Sequence, residues 1–167
     1  MNIPFLITPG SLAISLREEK AAYSPGERLA GTVELSTTSV HARSLTISLR
    51  CYEFVKVSCG SGSYKMGGGS FKIGSVRGSY RIGSGSRASK EEWLVIYSTE
   101  LVLGGEGDYS VMKRDFEFTI PRDAPPTIAR FPGDLQESGA GVKWELHAKL
   151  DVPWGVDLNA RKTIFVR

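Results

Sequence analysis

The chain has 167 residues, of which 41% are hydrophobic, and its 21 basic and 18 acidic residues give a formal net charge of +3. This length suits one domain with its own hydrophobic core, so folding requires neither disulfides nor metal ions. No apolar run approaches the roughly 18 residues of a membrane-spanning helix, which excludes that class of protein. The apolar N-terminus contains Pro4 and Pro9 and has no leading positive charge, so we expect no secretory signal and a cytoplasmic protein.

The first third of the chain predicts three β-strands. Apolar and polar residues alternate over residues 12–16, 29–35 and 45–51, the period of strands with one buried face. Residues 24–26, Ser-Pro-Gly, predict a turn between the first two strands, because proline fixes one backbone angle and glycine accepts a positive φ. The alternation of the third strand is lost near Glu53, which indicates a β-bulge or a sheet edge.

The remainder of the chain also predicts strands. Residues 93–103 form a long stretch of high β-propensity, and residues 116–120 alternate until Pro121. Residues 121–141 read as a long connection that could hold a short helical turn at 128–137. Residues 142–150 alternate regularly, Pro153 and Gly155 reverse the chain, and residues 162–166 resume as strand. Seven or more strands at this spacing predict an all-β protein, an antiparallel two-sheet β-sandwich.

Four segments resemble the N-terminal domain of the arrestins, and of the α-arrestins most. They are YSPGERLAGTVEL, SLTISLRCYEF, RDFEFTIPRDAPPTI and KWELHAKLDVPWGVD, and they follow one another in the family's order. The resemblance covers nearly the whole chain except residues 58–90. It implies an immunoglobulin-like sandwich of the arrestin N-lobe type, over residues 1–167, with residues 58–90 inserted into it. Complete arrestins join two such lobes, so we expect this chain to correspond to the first.

The insert is rich in glycine and serine and strongly basic. Between Glu53 and Glu91 there are seven basic residues and no acidic one. Three units repeat the pattern Gly-Ser-aromatic-basic-aliphatic-Gly, so they could form a small meander with an apolar and a basic face. A flexible loop whose charges keep it soluble is the alternative. The residues predicted to contact an anionic partner are Tyr64, Lys65, Phe71, Lys72, Arg77, Tyr80, Arg81 and Arg87.

Catalytic chemistry finds little support in the sequence. His41 falls in a polar turn and His147 on the wet face of a strand, so both are predicted at the surface. No nucleophile-elbow pattern or pair of acid/base carboxylates occurs, and Ser84 stands where a phosphate-binding loop requires lysine. We therefore predict no catalytic residue, no cofactor, no metal site and no small-molecule substrate.

The cysteines and tryptophans are interpreted as structural. Cys51 continues the apolar face of a strand, whereas Cys59 begins the glycine-rich tract, so both are predicted to be free thiols. The three tryptophans, at positions 93, 144 and 154, are predicted to serve core and corner packing rather than ligand stacking.

Two functional hypotheses remain after these exclusions. The first is a non-catalytic adaptor or scaffold that binds a protein partner, or a second copy of itself, through strand edges and loops. The alternative is an electrostatic binder of nucleic acid or an anionic membrane through the basic aromatic insert. A third hypothesis, that the protein is an enzyme, has no arrangement of residues that supports it.

Overall fold

The computed structural model describes residues 10–57, 69–73, 76–80, 90–128 and 141–167, and this part of the chain contains strands and no helix. The strands are β1 Gly10–Leu16, β2 Arg28–Thr37, β3 Val40–Ala42, β4 Ser44–Val57, β5 Gly69–Ile73, β6 Val76–Tyr80, β7 Lys90–Gly104, β8 Gly107–Tyr109, β9 Met112–Thr119, β10 Gly141–Asp151 and β11 Leu158–Ile164.

Two larger sheets form the body of an antiparallel β-sandwich. One has the strand order β1-β2-β9 and the other β11-β10-β4-β7, while β3 pairs with β8 and β5 with β6. All pairs between the described strands are antiparallel. A single buried cluster draws side chains from both larger sheets, so their inner faces share one core.

The core follows from the alternation in the sequence. On β10, Trp144, Leu146 and Leu150 are fully buried, and they lie opposite Cys51, Leu49 and Leu45 of β4. Period-2 alternation directs all of these residues to one face of the sheet. The three-stranded sheet covers them with an apolar face of its own, formed by Leu29, Val33, Leu35, Phe116 and Phe118.

The predicted strands are confirmed, and the differences lie at their ends and in short elements. The bulge expected near Glu53 occurs as a register shift between Cys51 and Tyr52 in the β4–β7 pair. The last strand begins at Leu158 rather than at residue 162. β3 and β8 were not predicted, since three residues are too few to show a period. The helical turn expected at residues 128–137 falls, except for Ile128, on residues outside the described part of the chain.

The Ser-Pro-Gly turn between β1 and β2 has the predicted chemistry. The Glu27 N–H donates to the Ser24 carbonyl at 3.0 Å, and Gly26 has a φ of 81°. Proline at the second position and a left-handed glycine at the third are the requirements of a type II turn.

We predict that a deletion of residues 60–88 will leave the sandwich folded. Val57 and Lys90 are register partners at the ends of β4 and β7, so a short turn can join these strands directly. Loop-closure entropy depends weakly on length, so the shortened protein should unfold cooperatively at nearly the same midpoint. Thermal unfolding followed by circular dichroism will test this. Loss of the cooperative transition would show that the insert is required for folding.

Candidate interaction surfaces

The outer face of the four-stranded sheet has a buried polar centre. Glu145 and His147 are only 8% and 9% exposed, so the prediction of a surface histidine on a wet strand face is wrong for His147. β10 is an interior strand that lies between β4 and β11. His147 Nε2 donates a hydrogen bond to Asn159 Oδ1 at 2.9 Å, and Arg161 Nη1 lies 3.8 Å from Glu145 Oε1.

An aromatic patch lies on the same outer face, where β10 begins. We define it as Tyr52, Phe54, Trp93, Val95 and Lys143. The Lys143 ammonium lies 5.0 Å from the ring centroid of Tyr52 and 4.7 Å from that of Trp93, and the rings of Phe54 and Trp93 meet edge to face at 5.3 Å. The patch thus combines the exposed apolar surface of Trp93 and Val95 with the positive charge of Lys143.

The prediction that Trp93 serves core packing is therefore wrong in part. This side chain is 36% exposed and Val95 is 46% exposed. The register shift between Cys51 and Tyr52 lies beside Ile96, which is buried, and it separates the outward positions 93 and 95 from the regular alternation further along β7. No pattern in β7 alone reveals on which face its tryptophan lies.

The connection between β10 and β11 presents the most exposed large hydrophobic side chain among the described residues. We call residues 152–157 the tryptophan turn. Trp154 is 96% exposed and has a φ of 63°, so the prediction that it packs at a corner is wrong. The Gly155 N–H donates to the Val152 carbonyl at 3.3 Å, and the Val152 N–H donates to Asp157 Oδ1 at 2.9 Å. The backbone of the turn is thus fixed while its indole faces solvent.

The longest strand, β7, lies at an edge of its sheet. β7 has 15 residues, and among the described strands it pairs only with β4. The backbones of β5 and β6 approach β7 without pairing with it. Its far side therefore offers a row of backbone donors and acceptors within the described part of the chain.

The predicted anion-binding residues fall partly in the β5–β6 hairpin. Phe71 and Lys72 lie in β5, and Arg77 and Tyr80 in β6. The register places Lys72 directly opposite Arg77. The second repeat unit supplies β5, and the third supplies the end of β6. The other four predicted residues, Tyr64, Lys65, Arg81 and Arg87, lie outside the described residues.

The described segments also bear on the predictions about metal sites, membrane spans, His41 and the cysteines. In the described segments, no group of three or more His, Cys, Asp or Glu residues is arranged to hold a metal ion. None of these segments forms a helix long and apolar enough to cross a bilayer. His41 is exposed, as predicted, although it lies in β3 rather than in a turn, and Cys51 is a buried free thiol, as predicted. Cys59 lies outside the described residues.

We predict that His41 will titrate above the ordinary histidine range. Its Nδ1 lies 3.1 Å from Asp108 Oδ1 and its Nε2 3.4 Å from Glu106 Oε1. Hydrogen bonding to Asp108, and then to Glu106, raises the pKa of His41. The stabilisation is therefore complete below the ordinary pKa of about 6.5 and is lost as pH rises through the folded value. An NMR titration should give a lower midpoint in Asp108→Asn; equal midpoints would contradict the pairing.

We predict that the Cys51 thiol will be inert in the folded protein. Burial, and next the nearby charge of Glu53, raise the pKa of Cys51 to about 12. Since the thiolate is the reactive species, a Cys59→Ser variant should react with a thiol reagent only after unfolding. Reaction at the rate of an exposed thiol in native buffer would contradict the burial of this strand.

Comparisons with known proteins agree with this architecture. The sequence model of the family described as arrestin (or S-antigen), N-terminal domain, matches residues 12–167. The chain is also similar to the crystal structure of Spo0M, sporulation control protein, from Bacillus subtilis, with 19% identity and a TM-score of 0.55. That match covers 95% of this chain and 50% of Spo0M, so this chain spans half the length of that structure. A search of curated protein sequences gave no match.

Proposed function

Because the chain belongs to the family of arrestin N-terminal domains, we propose that it is a non-catalytic adaptor or scaffold module. It binds a protein partner through a strand edge and the adjoining loops, in the cytoplasm. Residues 1–167 act in this proposal as one domain, with residues 58–90 as an insert. Membership of a fold family does not by itself define a partner, so the proposal depends on the surfaces described above.

The observation that carries this proposal is the edge of β7. A strand of 15 residues extends about 50 Å, roughly two and a half times the usual strand length. Natural edge strands of this kind are normally shortened, bent or charged to prevent pairing with other chains. β7 has two register shifts against β4 but remains long, and Val102 near its end is 68% exposed. Such an edge can accept a partner strand by main-chain hydrogen bonding.

A pull-down from native lysate will test this edge. The bait is the intact chain, and the test variant is Ser98→Lys with Val102→Lys, two outward positions of β7 that are both exposed. Lysines on an edge disfavour pairing with a further strand, so the double variant should lose the partner. The matched control is Thr163→Lys, an exposed position on β11 at the opposite edge of the same sheet.

Two outcomes would reject the proposal. Equal recovery of the partner by the double-lysine variant and the control would show that β7 is not the binding edge. Failure of the intact chain to enrich any protein over an unrelated β-sandwich would reject the adaptor function itself. A bait that lacks residues 60–88 shows separately whether the insert contributes.

The β5–β6 hairpin favours electrostatic binding as a second candidate, since it aligns Lys72 with Arg77. Five or six phosphate contacts would make the affinity for single-stranded nucleic acid fall with salt, with a log-log slope of about −4. Replacing Tyr64, Phe71 and Tyr80 with alanine should cost about 1 to 3 kcal/mol for each stacked base. Membrane binding would instead follow the fraction of anionic lipid. Flat titrations of oligonucleotides and anionic liposomes at low salt would reject this candidate.

A further inference from the structure

We propose that this chain self-associates head to tail, with the tryptophan turn of one copy docked on the aromatic patch of the next. The contact uses the outer face of the four-stranded sheet and the β10–β11 connection. It goes beyond the adaptor function because its occupant is a second copy of the chain. It uses the side chains of Trp93 and Val95 on the outer face of β7, and not the backbone donors and acceptors along the edge of that strand. The inference depends on the local construction of each surface, on their charges and on their separation.

The tryptophan turn places a residue with a side chain in a backbone conformation that favours glycine. In the described residues, two turns have proline followed by a residue with positive φ: Gly26 follows Pro25 with a φ of 81°, and Trp154 follows Pro153 with a φ of 63°. Glycine accepts this conformation freely, whereas a residue with a Cβ is strained there. The second turn places tryptophan at the strained position and leaves its indole 96% exposed. Neither the strained backbone of Trp154 nor the exposure of its indole stabilises the fold of a single copy.

The same turn is held in one conformation. Asp157 accepts the Val152 N–H at 2.9 Å and pairs with Lys149 Nζ at 2.9 Å. The Arg43 N–H donates to the Asp151 carbonyl at 2.8 Å, which ties the end of β10 to the start of β4. A projecting aromatic side chain on a fixed backbone loses little conformational entropy on binding, which is the property of a preorganised anchor.

The aromatic patch is complementary to the tryptophan turn in hydrophobicity and in charge. Trp93 and Val95 offer exposed apolar surface, and Lys143 holds a positive charge over two of the rings. The patch thus has an apolar surface that can contact an indole and a cation that can pair with a carboxylate at its rim. Tryptophan and tyrosine, present on the two surfaces as Trp154, Trp93 and Tyr52, are among the residue types most enriched at binding hot spots.

The charges of the two surfaces are opposite. The tryptophan turn contains one ionisable residue, Asp157, and the adjoining end of β10 adds Lys149 and Asp151, so one basic and two acidic residues give a net charge of −1. Within the patch, Lys143 is the single ionisable group at neutral pH, and it gives a charge of +1. Opposite charges favour this pairing over contact between two turns or between two patches.

The two surfaces lie at opposite ends of β10, so they cannot meet within one molecule. Lys143 and Asp151 are eight residues apart on one strand, a separation of about 27 Å. A contact between two different surfaces of the same chain is heterologous, and it adds further copies unless the rotation closes a ring. One indole and a few neighbouring side chains bury much less than the roughly 800 Å² per partner of a stable interface, so the association is weak and concentration-dependent.

Sedimentation velocity on the purified full chain, up to concentrations on the order of several hundred micromolar, will test the proposal. The wild-type mass should rise with concentration. Trp154→Gly, which removes the anchor and relieves the positive φ, should remain monomeric and be at least as heat-stable as wild type. Val95→Glu, which places a carboxylate on the patch, should also remain monomeric. Each should weaken association at least tenfold. Phe165→Ala, an exposed apolar site outside both surfaces, should associate like wild type.

A mixture of the two monomeric variants gives the sharper result. Trp154→Gly retains an intact patch and Val95→Glu retains an intact turn, so the mixture should form a one-to-one dimer and nothing larger. Circular dichroism confirms beforehand that both variants are folded. A monomeric wild type across the whole range, association of Trp154→Gly equal to wild type, or failure of the two variants to combine would each overturn the proposal. Because no other protein is present, these results are independent of the β7 pull-down.

Discussion

Replacing Trp144 with alanine is expected to lower the free energy of unfolding by about 3 to 5 kcal/mol. The side chain is fully buried at the centre of β10, its ring contacts Tyr97 at a centroid distance of 5.6 Å, and its Nε1–H donates to the Pro125 carbonyl at 2.9 Å. The substitution removes the largest fully buried side chain and leaves that carbonyl without its donor. Domains of this size are stable by only about 5 to 15 kcal/mol, so much of the folded population is at risk.

Two further variants separate the causes of this loss. Trp144→Phe keeps most of the volume but removes the donor to Pro125, so it should cost about 1 to 2 kcal/mol. Trp154→Ala is the matched control, because this indole is 96% exposed, and it should leave stability nearly unchanged. Urea unfolding followed by circular dichroism measures all three. Similar losses in Trp144→Ala and Trp154→Ala would show that position 144 is not in the core.

The sequence predicts this core correctly because the relevant strands are regular. Along β10, every second residue from Trp144 to Leu150 is fully buried, as the alternation requires. β4 pairs with β10 without a register shift from Gly141 to Asp151, so a period-2 pattern on one strand is matched on the other. The resemblance to arrestin N-terminal domains is confirmed by the family match over residues 12–167.

The candidate surfaces were less predictable, because each depends on neighbours that the sequence does not identify. His147 has a polar position in the pattern, yet it is buried on β10, an interior strand between β4 and β11. Among the described strands, the edge position of β7 is a consequence of strand order, which no local pattern contains. Trp154 follows a proline and precedes a glycine, a context that predicts a turn but does not reveal that the tryptophan has the positive φ.

Replacing Gly31 with alanine is expected to be the most damaging single-methyl addition in the described sheets. Gly31 lies in β2, between β1 and β9, and a Cβ there would stand 2.2 Å from the Ser15 carbonyl oxygen and 2.7 Å from the Phe116 ring. The ring could rotate, but the carbonyl belongs to a paired strand and cannot move alone. The clash must therefore separate β1 from β2, at a cost of about 3 kcal/mol.

Gly105→Ala is the control for Gly31→Ala, because it should not lower the stability of the protein. Gly105 follows β7 with open space around the site of its Cβ and without a positive φ, so Gly105→Ala meets no clash. Alanine also restricts the unfolded chain, so this change should leave stability unchanged or raise it by about 0.4 to 1 kcal/mol. Urea midpoints of both variants, measured beside wild type, decide the matter. A midpoint for Gly31→Ala equal to that for Gly105→Ala would mean that β1 does not approach β2 as closely as described, and the three-stranded sheet would need a different register.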